Sequence, residues 1–287
     1  MLNSTQVIYL TRIIFRWIYQ RSFVADGNFK ADHVRQTHPE TDIWLSEGGG
    51  MTSKRTEYEE FLRTAINRLT VSKYMDNTLT AADDMKQKAP CENQFRAIEL
   101  AMRLSKACDI NGIVAIACAR HGCFAPNSVA NLPAGEQQKN VDWGLQRAIK
   151  TTNIDIRQRI LFIYDIVCQY IIYLMLRIGH LLPAGLIIDA AIGLFHVHGH
   201  KDQCFYRYAT TFIPGAAIVA GEILESLWST LNSVTPAMRT ATLAHRAEIM
   251  DDHMTDSNHK KMLTMGVFQL FHYIIYLTFP ISYVSNR

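Results

Sequence analysis

No CxxC pair occurs in this 287-residue sequence, and its six cysteines (Cys91, Cys108, Cys118, Cys123, Cys168 and Cys204) are scattered rather than grouped. That spacing excludes the dense disulfide framework of small secreted domains and suits a reducing compartment. Charge of one sign is not in excess either. The 29 Lys and Arg against 26 Asp and Glu leave +3, which excludes a polybasic, histone-like binder but leaves room for a local nucleic-acid groove. Internal repeats and low-complexity blocks are missing, and so is a secretory pattern, because Arg12, Arg16 and Arg21 interrupt the apolar N-terminal stretch. Those arginines, with no acid before Asp26, superficially suit a mitochondrial presequence; a buried strand or helix accounts for them better. Long apolar runs are also wanting. The 166–199 stretch is broken by Gln169, Arg177, His180, Pro183 and Asp189, and the uncharged 262–286 stretch by Gln269, His272 and Pro280. Neither offers the roughly 20 continuous apolar residues of a span, so a membrane partner is disfavoured.

What is present is a foldable chain. Hydrophobic residues make up 48% and charged ones 19%, enough apolar surface to exclude wholesale disorder in one large domain or two small ones. Phe23-Val24-Ala25 reads as a strand that stops at Asp26-Gly27-Asn28, presenting a carboxylate at its end. Ile160 to Tyr164 repeats the device and delivers Asp165. Between them, residues 31–110 are mostly polar, with amphipathic helices expected over Glu57 to Leu69 and Gln94 to Ala107. Ile113 to Cys118 is a β-branched strand leading through Arg120-His121-Gly122 to an edge strand, and Gln138 to Lys150 has a helical pattern. A helix is expected over Gly215 to Leu231, with Glu222 and Glu225 on one face.

Two strand-borne aspartates and a helical glutamate are what a two-metal phosphodiester site requires. Carboxylate oxygens suit Mg²⁺ or Mn²⁺, and two such ions can clamp the attacking and leaving oxygens of an in-line displacement. Spacing alone is weak ground for this, because most acids after strands cap turns or helices. His196, His200 and Cys204 fall at i, i+4 and i+8, so on one helix they would share a face and could hold a structural Zn²⁺. Cys118, His121, Cys91 or Cys108 could supply the fourth ligand; buried hydrogen-bonded side chains or a DNA-facing patch are the plainer readings. Cys118 and His121 lack the signature of a nucleophile pair, and Trp228 suits a core anchor better than a base-stacking platform.

The blocks Phe23 to Lys30, Cys118 to Gly122, Gly135-Glu136, Asn140 to Trp143, Tyr164 to Tyr170, His196 to Cys204, Gly221 to Asn232 and Asp256 to Asn258 occur in that order. Each is unspecific by itself. Their ordered combination, over about residues 22 to 262, resembles the Kyakuja-Dileera-Zisupton (KDZ) transposases, a fungal-rich group whose longer members carry a cysteine-cluster domain. The resemblance implies an α/β, RNase H-like mixed sheet flanked by helices, with a helical insertion over about 31–110 after the first strand. It implies a DDE-type catalytic core over residues 1–262, followed by an apolar tail at 263–287. Asp26 and Asp165 would be the metal-binding aspartates, and Glu222, in preference to Glu225, the third acid. DNA would be the partner, for a homo-oligomer working in the nucleus, with Arg120, His121, Arg239 and Arg246 as expected phosphate contacts beside Lys260 and Lys261. The chain departs from the group at Ala220, where an acid is common, and at Ala130-Asn131, where an Asp is common. Only 25 residues precede Asp26, so a truncated or decaying copy without the cysteine-cluster domain is expected. The alternatives are a catalytically inactive relic that still binds DNA or a partner, and an unrelated membrane-associated protein.

Overall fold

The structure, a computed structural model, describes residues 20–65, 107–133, 135–154, 159–216 and 219–278, the last thirteen of these as helical backbone only. Its centre is a five-stranded mixed sheet. Strand β1 (Arg21–Asn28) lies between β4 (Ile113–Cys118), antiparallel to it, and β6 (Ile160–Ile163), parallel to it. β5 (Ala130–Asn131) extends the antiparallel side and β7 (Ile188–Ala191) the parallel side, giving the order β5-β4-β1-β6-β7. A two-stranded ribbon, β2 (His33–Val34) with β3 (Cys108–Ile110), brackets the chain between β1 and β4.

Both faces of the sheet are covered, which is why β4 and β6 read as continuous apolar runs rather than alternating ones. Side chains alternate across the strand: Phe23 and Ala25 join one core, Val24 the other. On the first face lies α2 (Gln138–Thr151), whose Val141, Leu145, Ala148 and Ile149 follow the i, i+4, i+7, i+8 spacing of a buried stripe. A reciprocal cap between Gln137 and Asn140 starts that helix. It packs beside α1 (Arg55–Thr64) and the short helices α3 (Val167–Tyr170) and α4 (Leu174–Ile178). On the second face lie α6 (Ile223–Leu231), α7 (Thr235–Thr240) and the long α8 (Leu243–Thr278), which contribute Leu224, Leu227, Trp228, Leu231, Met238, Met250 and Met254. Asn258 of α8 clips the hairpin after β4 by accepting from the Phe124 amide and donating to its carbonyl.

One expectation needs adjustment. The helix expected from Gly215 begins only at Ile223, because Gly215 and Gly221 both take left-handed φ of 86°. Gly221 also presses against Gly193, whose Cα would lie 2.9 Å from an added Cβ. Of the proposed insertion, α1 and the β2–β3 ribbon are seen, whereas the helix expected over Gln94 to Ala107 lies almost wholly outside the described residues, as does the N-terminal arginine stretch before residue 20. Helix α8 runs unbroken through residue 262, where the tail was expected to begin. No helix among the described residues is long and apolar enough to cross a membrane.

Candidate active site

The parallel register of β1 and β6 sets Phe23 opposite Phe162 and Val24 opposite Ile163. Continued by two residues, it brings Asp165 level with Asp26 at the carboxyl ends of neighbouring strands. Asp26 points to the face covered by α6. Its Oδ2 accepts the Trp228 indole N–H at 2.7 Å and its Oδ1 accepts the Gly27 amide at 2.8 Å. Burial, reinforced by the negative charge of Asp165, pushes the Asp26 carboxyl up to about 7 in spite of these bonds. Asp165 is likewise pushed up to about 6 by burial, with Glu222 and Glu225 adding repulsion and His196 opposing it.

The third side of the site is built where the chain leaves β7. Residues His196–Gly199 form one 3₁₀ turn, and Nδ1 of His196 donates to Oε2 of Glu222 at 2.9 Å while lying 3.4 Å from Oδ1 of Asp165. The Glu222 bond, with the surrounding negative charge, outweighs burial and lifts the His196 pKa to about 9, so the ring is an imidazolium at neutral pH. Glu222 sits at the N-cap of α6, and its Oε1 accepts the Phe195 amide at 3.0 Å. Burial works against its ionisation, but the bonds from His196 and Phe195 win and hold its carboxyl below the ordinary value. A side chain at Gly193 would collide with Glu222, so that glycine makes the approach possible. Glu225, one turn on, is mostly exposed, with Oε1 3.8 Å from Nε2 of His196. One ligand atom from each of His196, Glu222 and Glu225 lies within 4.8 Å of the others.

A further acid belongs to the cluster. Glu136 is buried just before α2, where its Oε1 accepts the Tyr164 hydroxyl at 2.6 Å and its Oε2 lies where a Gly27 side chain would be. Burial raises its carboxyl to about 8; the Tyr164 bond pulls the other way, and the charges of Asp26 and Asp165 raise it further. Sequence reasoning placed Glu136 in a motif but gave it no role. The available signal was a carboxylate next to a glycine at the mouth of a buried helix, and its burial is a tertiary fact.

These carboxylates fall inside a wider match: the model of the Kyakuja-Dileera-Zisupton transposases covers residues 19–258. The chain belongs to that transposase family. No curated protein and no solved structure matches it. Membership in the KDZ transposases implies DNA as a partner and a dependence on metal, and the acid cluster offers the hard oxygen donors that such a dependence needs.

The KDZ chain also carries a softer donor set, with different membership from the expected one. His196, His200 and Cys204 do not share a helix, because the 3₁₀ turn ends at Gly199, His200 is extended and α5 (Asp202–Tyr208) starts afresh. His196 therefore turns to the acids, and Cys168 takes its place beside His200 and Cys204, with one donor atom of each within 4.8 Å of the others. Of the fourth ligands considered, Cys118 and His121 face each other at 3.3 Å and Cys108 faces Asp32 at 3.6 Å. Cys91 lies outside the described residues.

The expected phosphate contacts divide. Arg246 is a correction: it is buried at 1% exposure, donating to Asn131 Oδ1 and to the Ala31 carbonyl, both at 2.6 Å, and burial lowers its pKa to about 10. It braces β5 and the segment after β1 against α8, and its burial keeps it from DNA. Arg239 is half exposed and pairs with Asp32 at 3.3 Å. Arg120 reaches the Ser22 hydroxyl at 3.3 Å and His121 is exposed, both at the opposite end of β1 from the acids. Lys260 pairs with Asp256, and Lys261 donates to the Gly122 carbonyl.

Proposed function

We propose that this KDZ chain is the catalytic core of a DDE-type transposase that cleaves and joins DNA with Mg²⁺ or Mn²⁺ held by Asp26, Asp165 and Glu222. The observation that carries the reading is the β1–β6 register, which sets Asp26 beside Asp165 under α6, with Glu222 linked to Asp165 through His196. The strand order supports an RNase H-like core: β4 and β5, antiparallel to each other, lie on one side of β1 with β4 antiparallel to it, and two strands parallel to β1 lie on the other side. Fit to divalent cations is supported by the donor set itself. Burial, with neighbouring carboxylates adding to it, raises the pKa of Asp26, Glu136 and Asp165, and a divalent ion beside such groups would favour their ionised forms.

When bound, such ions stabilise the charge that develops on the attacking and leaving oxygens of the phosphodiester. The chain's own groups prepare that site. Trp228 and the Gly27 amide fix the Asp26 carboxylate, one bond to each oxygen. Glu136, held by Tyr164, packs against Gly27 of β1. His196 holds a proton at Nδ1 between Asp165 and Glu222. DNA as substrate places the work in the nucleus, and the joining of two transposon ends suits a homo-oligomer.

The test is nicking of supercoiled DNA with Mg²⁺ or Mn²⁺. Wild-type protein nicks and Asp165→Ala does not while remaining folded; equal activity in the variant sinks the assignment. A relic without turnover is the second reading, favoured by the imidazolium of His196 already occupying the space between Asp165 and Glu222. Under it, neither ion supports nicking.

A further inference from the structure

We propose that Cys168, His200 and Cys204 bind a zinc ion beside the carboxylate site. Their donor atoms come from three separate pieces of chain: Cys168 from α3, three residues after Asp165; His200 from the end of the turn that carries His196; and Cys204 from α5. One donor atom of each lies within 4.8 Å of the other two. Among the described residues only two groups of three such donors converge this closely, and this is the one that contains sulfur.

Distance and chemistry agree on the ion. The Cys168 Sγ and the His200 Nδ1 are 3.6 Å apart. Ligands at about 2.3 Å for sulfur and about 2.0 Å for nitrogen, at a tetrahedral angle, stand roughly 3.5 Å from each other. Two thiolates and an imidazole are soft and borderline donors that select zinc over the hard cations of the acid cluster. Cys168 is buried and Cys204 half-buried, so the site is shielded.

The consequence is mechanical. A zinc ion here would tie α3, the His196 turn and α5 into one unit, fixing Asp165 and His196 without touching any substrate. Cys168, His200 and Cys204 are therefore positioning residues for the acid site, and the zinc assignment stands whether or not the chain turns over DNA.

Full-length protein purified without chelator and analysed by elemental mass spectrometry is expected to carry about one zinc per chain. Cys168→Ser and Cys204→Ser are each expected to lose it and Cys123→Ser to keep it. A zinc-free wild-type protein, or unchanged zinc in both ligand variants, overturns the proposal. Should the serine variants fail to fold, Co²⁺ exchanged into wild-type protein decides instead. Thiolate-to-cobalt charge-transfer bands with intense tetrahedral d–d absorption are expected, and a weak octahedral spectrum without them contradicts the site.

Discussion

The indole N–H of Trp228 donates to Oδ2 of Asp26 at 2.7 Å, joining residues 202 positions apart. Trp228 thereby does two things at once: its ring fills the core against Phe124, with centroids 5.9 Å apart, and its polar edge fixes the first acid of the site. Trp228→Phe keeps most of the packing and removes the bond. The expected cost is about 1.5–3 kcal/mol, as for hydrogen bonds to charged groups. The Asp26 pKa should rise further, moving the lower limb of the nicking pH profile upward. Chemical denaturation and the pH profile check the two effects.

Metal-free protein should lose stability as pH rises. Asp26, Asp165 and Glu136 have folded pKa values of about 7, 6 and 8, above their ordinary 3.8, 3.8 and 4.5, so the folded state holds protons that the unfolded chain has released. Their ionisation costs stability from about pH 4 upward until each folded pKa is passed. The stability from His196, raised from 6.5 to about 9, is full below 6.5 and is lost as pH passes its folded value. Both act in the same direction. In EDTA the melting temperature should fall between about pH 5 and pH 8, and Mg²⁺ should restore it more at pH 8 than at pH 5. A flat or rising melting curve would contradict the burial of these carboxyls in their protonated forms.

Arg177 and Asp142 form a buried two-point pair, Nε to Oδ2 at 2.6 Å and Nη2 to Oδ1 at 2.9 Å, with the guanidinium 4.7 Å from the centre of the Tyr170 ring. Arg177→Met strands a buried carboxylate and is expected to cost about 3–5 kcal/mol. Arg177→Met combined with Asp142→Leu should recover much of that loss, which urea denaturation of both variants measures.

Glu136→Gln keeps a hydrogen-bonding oxygen for Tyr164 and removes the deepest carboxyl of the cluster. It should make the metal-free protein less sensitive to alkaline pH. If Glu136 only supports β1 at Gly27, nicking falls by no more than about 10- to 100-fold, the range typical of outer-shell changes. A loss as complete as that of Asp165→Ala would make Glu136 a ligand.

The two apolar runs that lead to an acid, Phe23 to Asp26 and Ile160 to Asp165, are legible as local patterns, although β1 does not stop at Asp26 as expected but continues through Asn28. Helix α2 is legible for the same reason, through its 3.6-residue period. Burial is not local. Arg246 and Glu136 look like surface charges in the sequence and are buried only by tertiary packing. The exchange of His196 for Cys168 in the soft donor set turns on a break in helical geometry at Gly199-His200 that spacing does not reveal. The position of Glu222 depends on two glycines far apart in the chain, Gly193 and Gly221, meeting back to back.

The most direct measurement is Mn²⁺ binding followed by the loss of the free-ion electron paramagnetic resonance signal, in wild-type protein, Asp26→Asn and Asp165→Asn. If the paired aspartates hold the catalytic metal, wild-type protein takes up Mn²⁺ and each variant binds it at least about 10²-fold more weakly, beyond the losses seen for outer-shell changes. Equal uptake by all three proteins would contradict the metal site, and with it the proposed chemistry.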